Sequence, residues 1–247
     1  MEGAKTEVER KTLEERREMD GLSRIRHSCA HVLATAVLRI WPEAKLDIGP
    51  PTDEGFYYDF DLEHRFTPDD FEKIEAVMKK VVKENQTFEV SEKTREQAKA
   101  HYAKLDQPFK LERIDDIPEG ETITFFRNGE FSDLCAGPHV PRTGNVKAFK
   151  LLRLAAAYYR GNEKNPQLQR IYGTAFKNKT QLNEWLEMRE EATKRDHRKI
   201  GREQGLFTLS PLVGQGLVLW MPKGGIVRSE LQNFMQGELT QRGYNPV

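Results

Sequence analysis

The chain has 247 residues, which is enough for one large domain or two modest ones. Its 39 basic and 39 acidic residues give a formal net charge of zero, so the broad basic surface of a duplex-binding protein is not visible, although gripping the end of an RNA needs only a few local cations. No stretch approaches the roughly 18 apolar residues of a membrane span. Since the charged N-terminus does not resemble a secretory signal either, we expect a cytoplasmic protein with no membrane partner.

The chain opens with a charged segment that precedes the first helix. Residues 1–21 consist mainly of Glu, Arg and Lys with few apolar anchors, and they predict a solvated helix or a disordered lead-in. A helix is predicted over residues 23–40, with Ser23 as its N-cap, because apolar residues recur there at helical spacing until Pro42.

Two strands and two helices are predicted next. Residues 45–48 and 55–60 are strand-like, and the second segment alternates in the way that is typical of a half-buried strand. Residues 67–84 form the clearest helix, with Thr67 as its cap, and residues 94–105 form a shorter one.

The remaining chain changes composition near residues 201–214, where we place a domain boundary. A long charged helix is predicted over residues 179–203, and a helix over residues 225–242 follows a segment that is rich in Gly and Pro. Four strand-like segments precede the charged helix, and they are residues 109–114, 122–127, 146–154 and 168–176.

Two local patterns carry candidate chemistry. The first is His27 and His31, which share one face of the predicted first helix because they are four residues apart. Asp133 and Cys135 precede His139, and the Gly-Pro pair between the last two indicates a tight turn that lets both point into one pocket. Lys110 lies in one of the strand-like segments.

The histidine pair and the cysteine turn together supply four potential metal ligands. Zinc takes four such ligands in structural sites, and three plus water in catalytic ones. A metalloprotease is excluded because Ser28 follows His27, where a glutamate would be required. A zinc site at His27, His31, Cys135 and His139 stays open on this argument.

Several segments agree in order and spacing with one known family. Arg-His-Ser-Cys-Ala-His ends at His31, and Cys-Ala-Gly-Pro-His-Val begins at Cys135. These two runs resemble the motifs of the editing domain in bacterial-type threonyl-tRNA synthetases, and the resemblance extends from about residue 22 to the end of the chain. Further matching segments are residues 48–50, 55–59, 169–174 and 194–199.

The resemblance implies an editing pocket that is lined by six side chains. Lys110 fits the family's catalytic lysine, and Asp133 matches an acidic residue two positions before the cysteine. In related alanyl-tRNA editing proteins the four-ligand pattern holds zinc, whereas the threonyl site works without it, so we expect no metal and no cofactor for editing. The four positions of that pattern are His27, His31, Cys135 and His139.

The activity implied is hydrolysis of mischarged seryl-tRNA(Thr), with the acceptor end of tRNA(Thr) as the partner. Two alternatives remain: a non-catalytic tRNA-binding or zinc-stabilised module, and a free-standing alanyl-tRNA deacylase. His64, His101 and His197 are expected to be solvated. Candidate RNA contacts, which could equally be ordinary core or surface residues, are Tyr57, Tyr58, Arg153, Tyr158, Tyr159 and Arg160.

The organisation implied is an α+β fold in which a mixed sheet packs on the histidine-bearing helix. Residues 22–177 would form the editing domain, residues 178–205 a linker helix, and residues 206–247 the truncated start of a class II catalytic domain. The second and third class II motifs, which hold ATP, and the ligase zinc ligands are not found, so ligation is not expected from this chain alone. The family forms homodimers.

Overall fold

The computed structural model describes residues 19–214 and 216–245. They divide into two compact units, of which the first ends at Asn183 and the second begins at Glu184. Helices and antiparallel sheets are both present, which confirms the α+β class. Within the described ranges, no helix combines the length and the apolarity that crossing a bilayer requires.

Helices and strands are interspersed along both units. In chain order they are α1 Gly21–Ile40, β1 Lys45–Leu46, β2 Phe56–Asp61, α2 Asp70–Glu84, β3 Phe88–Lys93, α3 Arg95–Lys104, α4 Pro108–Asp115, β4 Ile123–Asn128, β5 Phe131–Leu134, β6 Ala148–Tyr158, β7 Gln167–Phe176, α5 Lys179–Lys194, α6 His197–Glu203, β8 Phe207–Leu209, β9 Val218–Trp220 and α7 Pro222–Gln241.

Helix α1 begins two residues earlier than predicted, and its N-cap is Asp20 rather than Ser23. The Asp20 carboxylate accepts hydrogen bonds from the backbone N–H groups of Leu22 and Ser23, at 2.6 and 3.1 Å, which satisfies two donors that a helix start leaves unpaired. The predicted charged lead-in otherwise lies outside the described residues. Every residue from Ile25 to Val37 is buried, so α1 is the central element of the first unit.

Two antiparallel sheets build the rest of the first unit. One has the strand order β1-β2-β7-β6 and the other the order β3-β4-β5. The prediction of a mixed sheet is therefore wrong, because every pairing in both sheets is antiparallel. Helix α1 packs on β2, β7 and α2, and the apolar core forms between these elements.

Strand β2 is buried on both faces, although its alternation predicted a half-buried strand. Asp59 is 2% exposed because the Arg170 guanidinium on the neighbouring strand donates to both of its oxygens, at 2.6 and 2.7 Å. The same guanidinium lies 3.9 Å from the centre of the Tyr57 ring. A bidentate ion pair and a cation–π contact thus cover the polar face of this strand.

Residues 109–114 form a helix, so the prediction of a strand around Lys110 is wrong. A short apolar run does not distinguish the two structures, and Pro108 at the first position favours the helix. The preceding Gln107 anchors α4 to the sheet, since its side chain accepts from Leu46 N at 2.7 Å and donates to Ala44 O at 2.9 Å. Arg113 adds a bidentate ion pair to Asp47.

The starts of α2 and α3 differ from their predicted positions by three residues and one residue. Helix α2 begins at Asp70, three residues after the predicted cap Thr67, and the Asp70 carboxylate accepts from the Thr67 backbone N–H at 2.8 Å. Helix α3 begins one residue after its predicted start: Thr94 is its N-cap and forms a capping box with Gln97, in which each side chain accepts from the backbone N–H of the other.

The second unit contains α6, a two-stranded β8-β9 hairpin and α7. The single charged helix predicted over residues 179–203 is wrong, because α5 ends at Lys194 and Asp196 caps a new helix by accepting from Arg198 N at 2.8 Å. Helix α7 carries exposed apolar side chains, among them Leu231 and Phe234.

Removing core volume from α1 should destabilise the first unit. Leu33 is fully buried in the main apolar cluster, and Leu33→Ala should lower the free energy of unfolding by about 2–5 kcal/mol, since it removes buried methyl groups and leaves a cavity. Urea unfolding followed by circular dichroism measures the change. Val90→Ala, at an exposed position of β3, is the matched control and should stay within about 0.5 kcal/mol of wild type. Equal losses in both variants would contradict this account of the core.

Candidate active site

Four potential ligands meet where α1 approaches the loop after β5. The donor atoms of His27, His31, Cys135 and His139 all lie within 4.8 Å of one another. The Cys135 sulfur lies 3.3 Å from His27 Nε2 and 3.2 Å from His139 Nε2. The structure therefore joins two sequence motifs that are more than 100 residues apart.

The loop after β5 owes its shape to Gly137. This residue has a φ of +65°, a left-handed conformation that favours glycine. A Cβ atom added there would lie 2.6 Å from the Phe126 ring, so a side chain would also displace an aromatic wall of the site. The Gly137 N–H donates to the Cys135 sulfur at 3.2 Å, and the predicted tight turn thereby brings Cys135 and His139 together.

Aromatic rings surround His139. The Phe88 ring stacks on it with centroids 4.8 Å apart, and the Phe126 ring lies 4.7 Å away. The rings of His27 and His31 complete the enclosure, each with its centroid 4.2 Å from that of His139. The two phenylalanines were not predicted as site residues, because nothing local in the sequence links their strands to the histidine motifs.

A buried ion pair lies beside this cluster, between Lys110 Nζ and Asp133 Oδ1. Tyr58 donates its hydroxyl hydrogen to Asp133 Oδ2 at 2.5 Å, and it accepts from Lys110 at 3.3 Å. The Tyr102 hydroxyl lies 3.5 Å from Asp133 Oδ1, and His31 Nε2 lies 3.8 Å from Oδ2. All six residues expected from the resemblance are thus contiguous, whatever role each performs.

Burial sets the charge states of these groups. It lowers the pKa of His31 from 6.5 to about 3, and it holds the pKa of His139 well below 6.5. Burial alone would raise the pKa of Asp133, but the adjacent Lys110 ammonium lowers it below its usual value. At neutral pH the site therefore holds neutral imidazoles next to a charged ion pair.

Several secondary expectations about other residues need correction. Tyr58 was a candidate RNA contact with an ordinary core position as the alternative, and its complete burial favours the core position, as does the near-complete burial of Tyr57 and Tyr159. The sequence did contain a signal, since Tyr58 alternates with Phe56 and Phe60 on the core side of β2. A tyrosine buried there needs a polar partner for its hydroxyl. His101 was expected to be solvated, but its Nε2 is buried and has no hydrogen-bond partner among the described residues.

The four-ligand cluster could hold a metal ion. Three imidazoles and one thiol make a donor set that zinc accepts. Within the described part of the chain, His31 Nδ1 is buried without a hydrogen-bond partner, so this imidazole is not fully satisfied by protein atoms. The donor set therefore fits a metal, and the same atoms fit a site that receives polar groups of a substrate.

The buried neutral histidines should make the fold sensitive to mild acid. Because the pKa values of His31 and His139 are lower in the folded chain than in the unfolded one, their contribution is complete above about pH 6.5 and is lost as the pH falls. Each histidine that takes up a proton on unfolding gives a slope of up to about 1.4 kcal/mol per pH unit, and His101, whose pKa is also lowered by burial, adds to the slope of these two. Urea unfolding between about pH 7.5 and 5, with a chelator present, measures it.

His139→Gln supplies the control for this pH dependence, because it removes one of the histidines with a lowered pKa and should reduce the slope by up to about 1.4 kcal/mol per pH unit. Asp133 does not interfere, since its lowered pKa affects stability only below about pH 4. Stability that stays constant over this range in the wild-type chain would contradict the burial of neutral imidazoles.

The amino-acid sequence of this chain is similar to those of known proteins. Residues 123–172 match the family described as the threonyl and alanyl tRNA synthetase second additional domain. The threonine–tRNA ligase of Clostridium tetani (strain Massachusetts / E88) is 52% identical over 228 residues, which are 92% of this chain and 36% of the relative. That of Clostridium botulinum (strain Okra / Type B1) is 53% identical over 223 residues, which are 90% of this chain and 35% of the relative.

This chain spans about a third of the length of those relatives. The identity extends over nine-tenths of the chain, and the family match covers β4, β5, β6 and part of β7, including Asp133, Cys135 and His139. The chain is therefore a homologue of part of the threonine–tRNA ligases, and it carries the additional domain that threonyl- and alanyl-tRNA synthetases share.

Proposed function

We propose that this chain hydrolyses seryl-tRNA(Thr), the product of mischarging by a threonine–tRNA ligase. The observation that carries the proposal is the contiguity of the Lys110–Asp133 ion pair with the His27, His31, Cys135 and His139 cluster. Such a site offers proton acceptors and a fixed positive charge within a few ångströms of one another. Hydrolysis of an ester requires both.

The physical need for such a hydrolase comes from the similarity of serine and threonine. Serine lacks only one methyl group, and a missing methyl group changes binding by about 1–3 kcal/mol, or roughly 10- to 200-fold. A ligation site that binds the shared hydroxyl cannot reject serine strongly enough. A second site that admits serine and excludes the larger threonine supplies the additional discrimination.

In the proposed reaction, water attacks the ester carbonyl that joins serine to the terminal ribose. His139 accepts a proton from the water, the Lys110 ammonium stabilises the negative charge that develops on the carbonyl oxygen, and the ester bond then breaks. The ribose oxygen leaves with a proton. His27 and His31 bind the ribose hydroxyl or the aminoacyl end, and Cys135 forms part of the pocket wall.

Asp133 has two possible roles in this scheme. Its carboxylate could pair with the ammonium of the seryl group, or it could orient a histidine. Its contacts favour an orienting role, because it is buried between Lys110, Tyr58 and Tyr102 and lies 3.8 Å from His31 Nε2. In this position the carboxylate holds the lysine ammonium and stabilises its charge.

The longer context is also part of the proposal. Residues 22–177 correspond to the editing domain, residues 178–205 to a linker that contains α5 and α6, and residues 206–247 to the start of a class II catalytic domain. Ligation of threonine with ATP would belong to a polypeptide as long as the relatives. We also propose a cytoplasmic location, the acceptor end of tRNA(Thr) as the partner, and the homodimeric state of the family.

A second candidate function is favoured by the ligand cluster. Three imidazoles and one thiol within 4.8 Å fit a zinc site, as in a zinc-stabilised tRNA-binding module or an alanyl-tRNA deacylase. Metal analysis of the purified chain separates these alternatives from the first proposal. One zinc ion per chain that is lost in a His27→Ala variant would favour the zinc-dependent alternatives, and a metal-free chain that remains active would exclude them.

The decisive measurement is deacylation of seryl-tRNA(Thr) by the purified chain, with threonyl-tRNA(Thr) and alanyl-tRNA(Ala) as competing substrates. We expect loss of serine alone. Lys110→Ala and His139→Ala should each lower the rate by about 100- to 10,000-fold, because each removes a charge or a proton acceptor at the reacting ester. Lys79→Ala and His64→Ala, at exposed positions that are not among the pocket residues, are the matched controls and should retain the wild-type rate.

Folding must be checked beside activity in these variants. Lys110→Ala leaves Asp133 as an uncompensated buried charge, which costs about 3–5 kcal/mol of stability. His139→Gln, which retains polar atoms, therefore serves as a second test in a folded sample. Wild-type rates in folded Lys110 and His139 variants would refute the assigned roles, and a folded wild-type chain that deacylates none of the three substrates would refute the function.

A further inference from the structure

Ser28 lies between the two histidines of the α1 motif, and the proposed reaction does not use it. Its side chain is fully buried, and its hydroxyl oxygen contacts three groups. It lies 2.8 Å from the Arg24 carbonyl oxygen, 3.1 Å from His139 Nδ1 and 3.0 Å from the Val140 backbone nitrogen. This hydroxyl therefore joins α1 directly to the loop that carries His139.

The position of the single hydroxyl hydrogen follows from these contacts. A serine hydroxyl donates once and accepts twice. The Arg24 carbonyl has no hydrogen, so a distance of 2.8 Å between the two oxygens is favourable only when the Ser28 hydrogen lies between them. The Val140 N–H takes one of the two acceptor positions. The remaining contact, with His139 Nδ1, is one in which Ser28 can only accept.

We propose that Ser28 is a positioning residue that holds His139 in the tautomer with hydrogen on Nδ1. The lone pair of His139 is then on Nε2, which faces the pocket at 3.2 Å from the Cys135 sulfur. His27 is held in the same way, because its Nδ1 lies 3.2 Å from the Pro138 carbonyl oxygen, which can only accept. Nε2 of His27 and Nε2 of His139 are thus both hydrogen-bond acceptors, and both face the Cys135 sulfur.

This tautomer determines what His139 can do, and this step rests on the proposed hydrolysis. An Nε2 lone pair accepts a hydrogen from the attacking water, while the water oxygen forms the new bond to the ester carbon. The same hydrogen can then pass to the ribose oxygen when the ester bond breaks. With hydrogen on Nε2, the imidazole could only donate at that point, and histidines held in the wrong tautomer lose much of their catalytic effect.

The test uses the full chain with nitrogen-15-labelled histidine, whose NMR spectrum distinguishes a protonated from an unprotonated ring nitrogen. We expect Nδ1 of His139 to be protonated in the wild type. Ser28→Ala should transfer most of the population to the Nε2–H form and lower the rate of seryl-tRNA deacylation by about 10-fold, because only the remaining Nδ1–H fraction presents the acceptor that a general base needs. Ser28→Thr retains the hydroxyl and should restore both properties.

Thr35 offers a matched control on the same helix. It is also buried, and its hydroxyl also donates to the carbonyl four residues earlier, that of His31, at 2.8 Å. Thr35→Ala therefore removes a comparable hydroxyl without touching His139. It should leave the His139 signals and the deacylation rate unchanged, whereas a purely structural effect of losing a helix hydroxyl would appear in both variants.

The outcomes separate this inference from the proposed function. A wild-type His139 with hydrogen on Nε2, or a tautomer that does not change in Ser28→Ala, would overturn the role of Ser28 even if the chain is active. The expected tautomer and its change in Ser28→Ala, in a chain that hydrolyses no aminoacyl-tRNA, would support the role of Ser28 and refute the hydrolysis. The wild-type spectrum alone decides the assignment if the alanine variant does not fold.

Discussion

The site depends on the contacts that pair the buried Asp133 carboxylate. Four side chains converge on it from four different elements: Tyr58 from β2, Tyr102 from α3, Lys110 from α4 and His31 from α1. A charge in the interior is tolerated only when it is paired and hydrogen-bonded. The fold meets this requirement by placing the Lys110 ammonium and the hydroxyl groups of Tyr58 and Tyr102 around the carboxylate. Because these partners come from different elements, the same contacts hold the two sheets and three helices together.

The rest of the site has apolar walls, and burial lowers the pKa values of His31 and His139 so that their neutral forms are favoured. Phe88 and Phe126 pack against His139 and cover part of the imidazole. Electrostatic interactions strengthen when water is excluded, and a lysine held beside such a pocket acts over a short distance with little screening. Strong local electrostatics therefore coexist with a chain whose overall charge is zero.

Local sequence signals predicted much of this structure. Helical periodicity was sufficient for most of α1, although not for its cap, and spacing alone placed His27 and His31 on one face. The failures have physical causes. Six residues after a proline satisfied both helix and strand patterns, so Lys110 was assigned to the wrong element. The partners of Asp133 and His139 come from distant strands, and no local pattern reports contacts of that kind.

The distance in sequence between the two halves of the pocket has a consequence for biosynthesis. His27 and Cys135 are 108 residues apart, and Ser28 bonds to a residue 112 positions later, so closing this loop costs entropy that local contacts do not repay. A ribosome that has made only α1 has produced both helix histidines without their partners. The four-ligand cluster can therefore form only after the loop beyond β5 has left the exit tunnel and docked on α1.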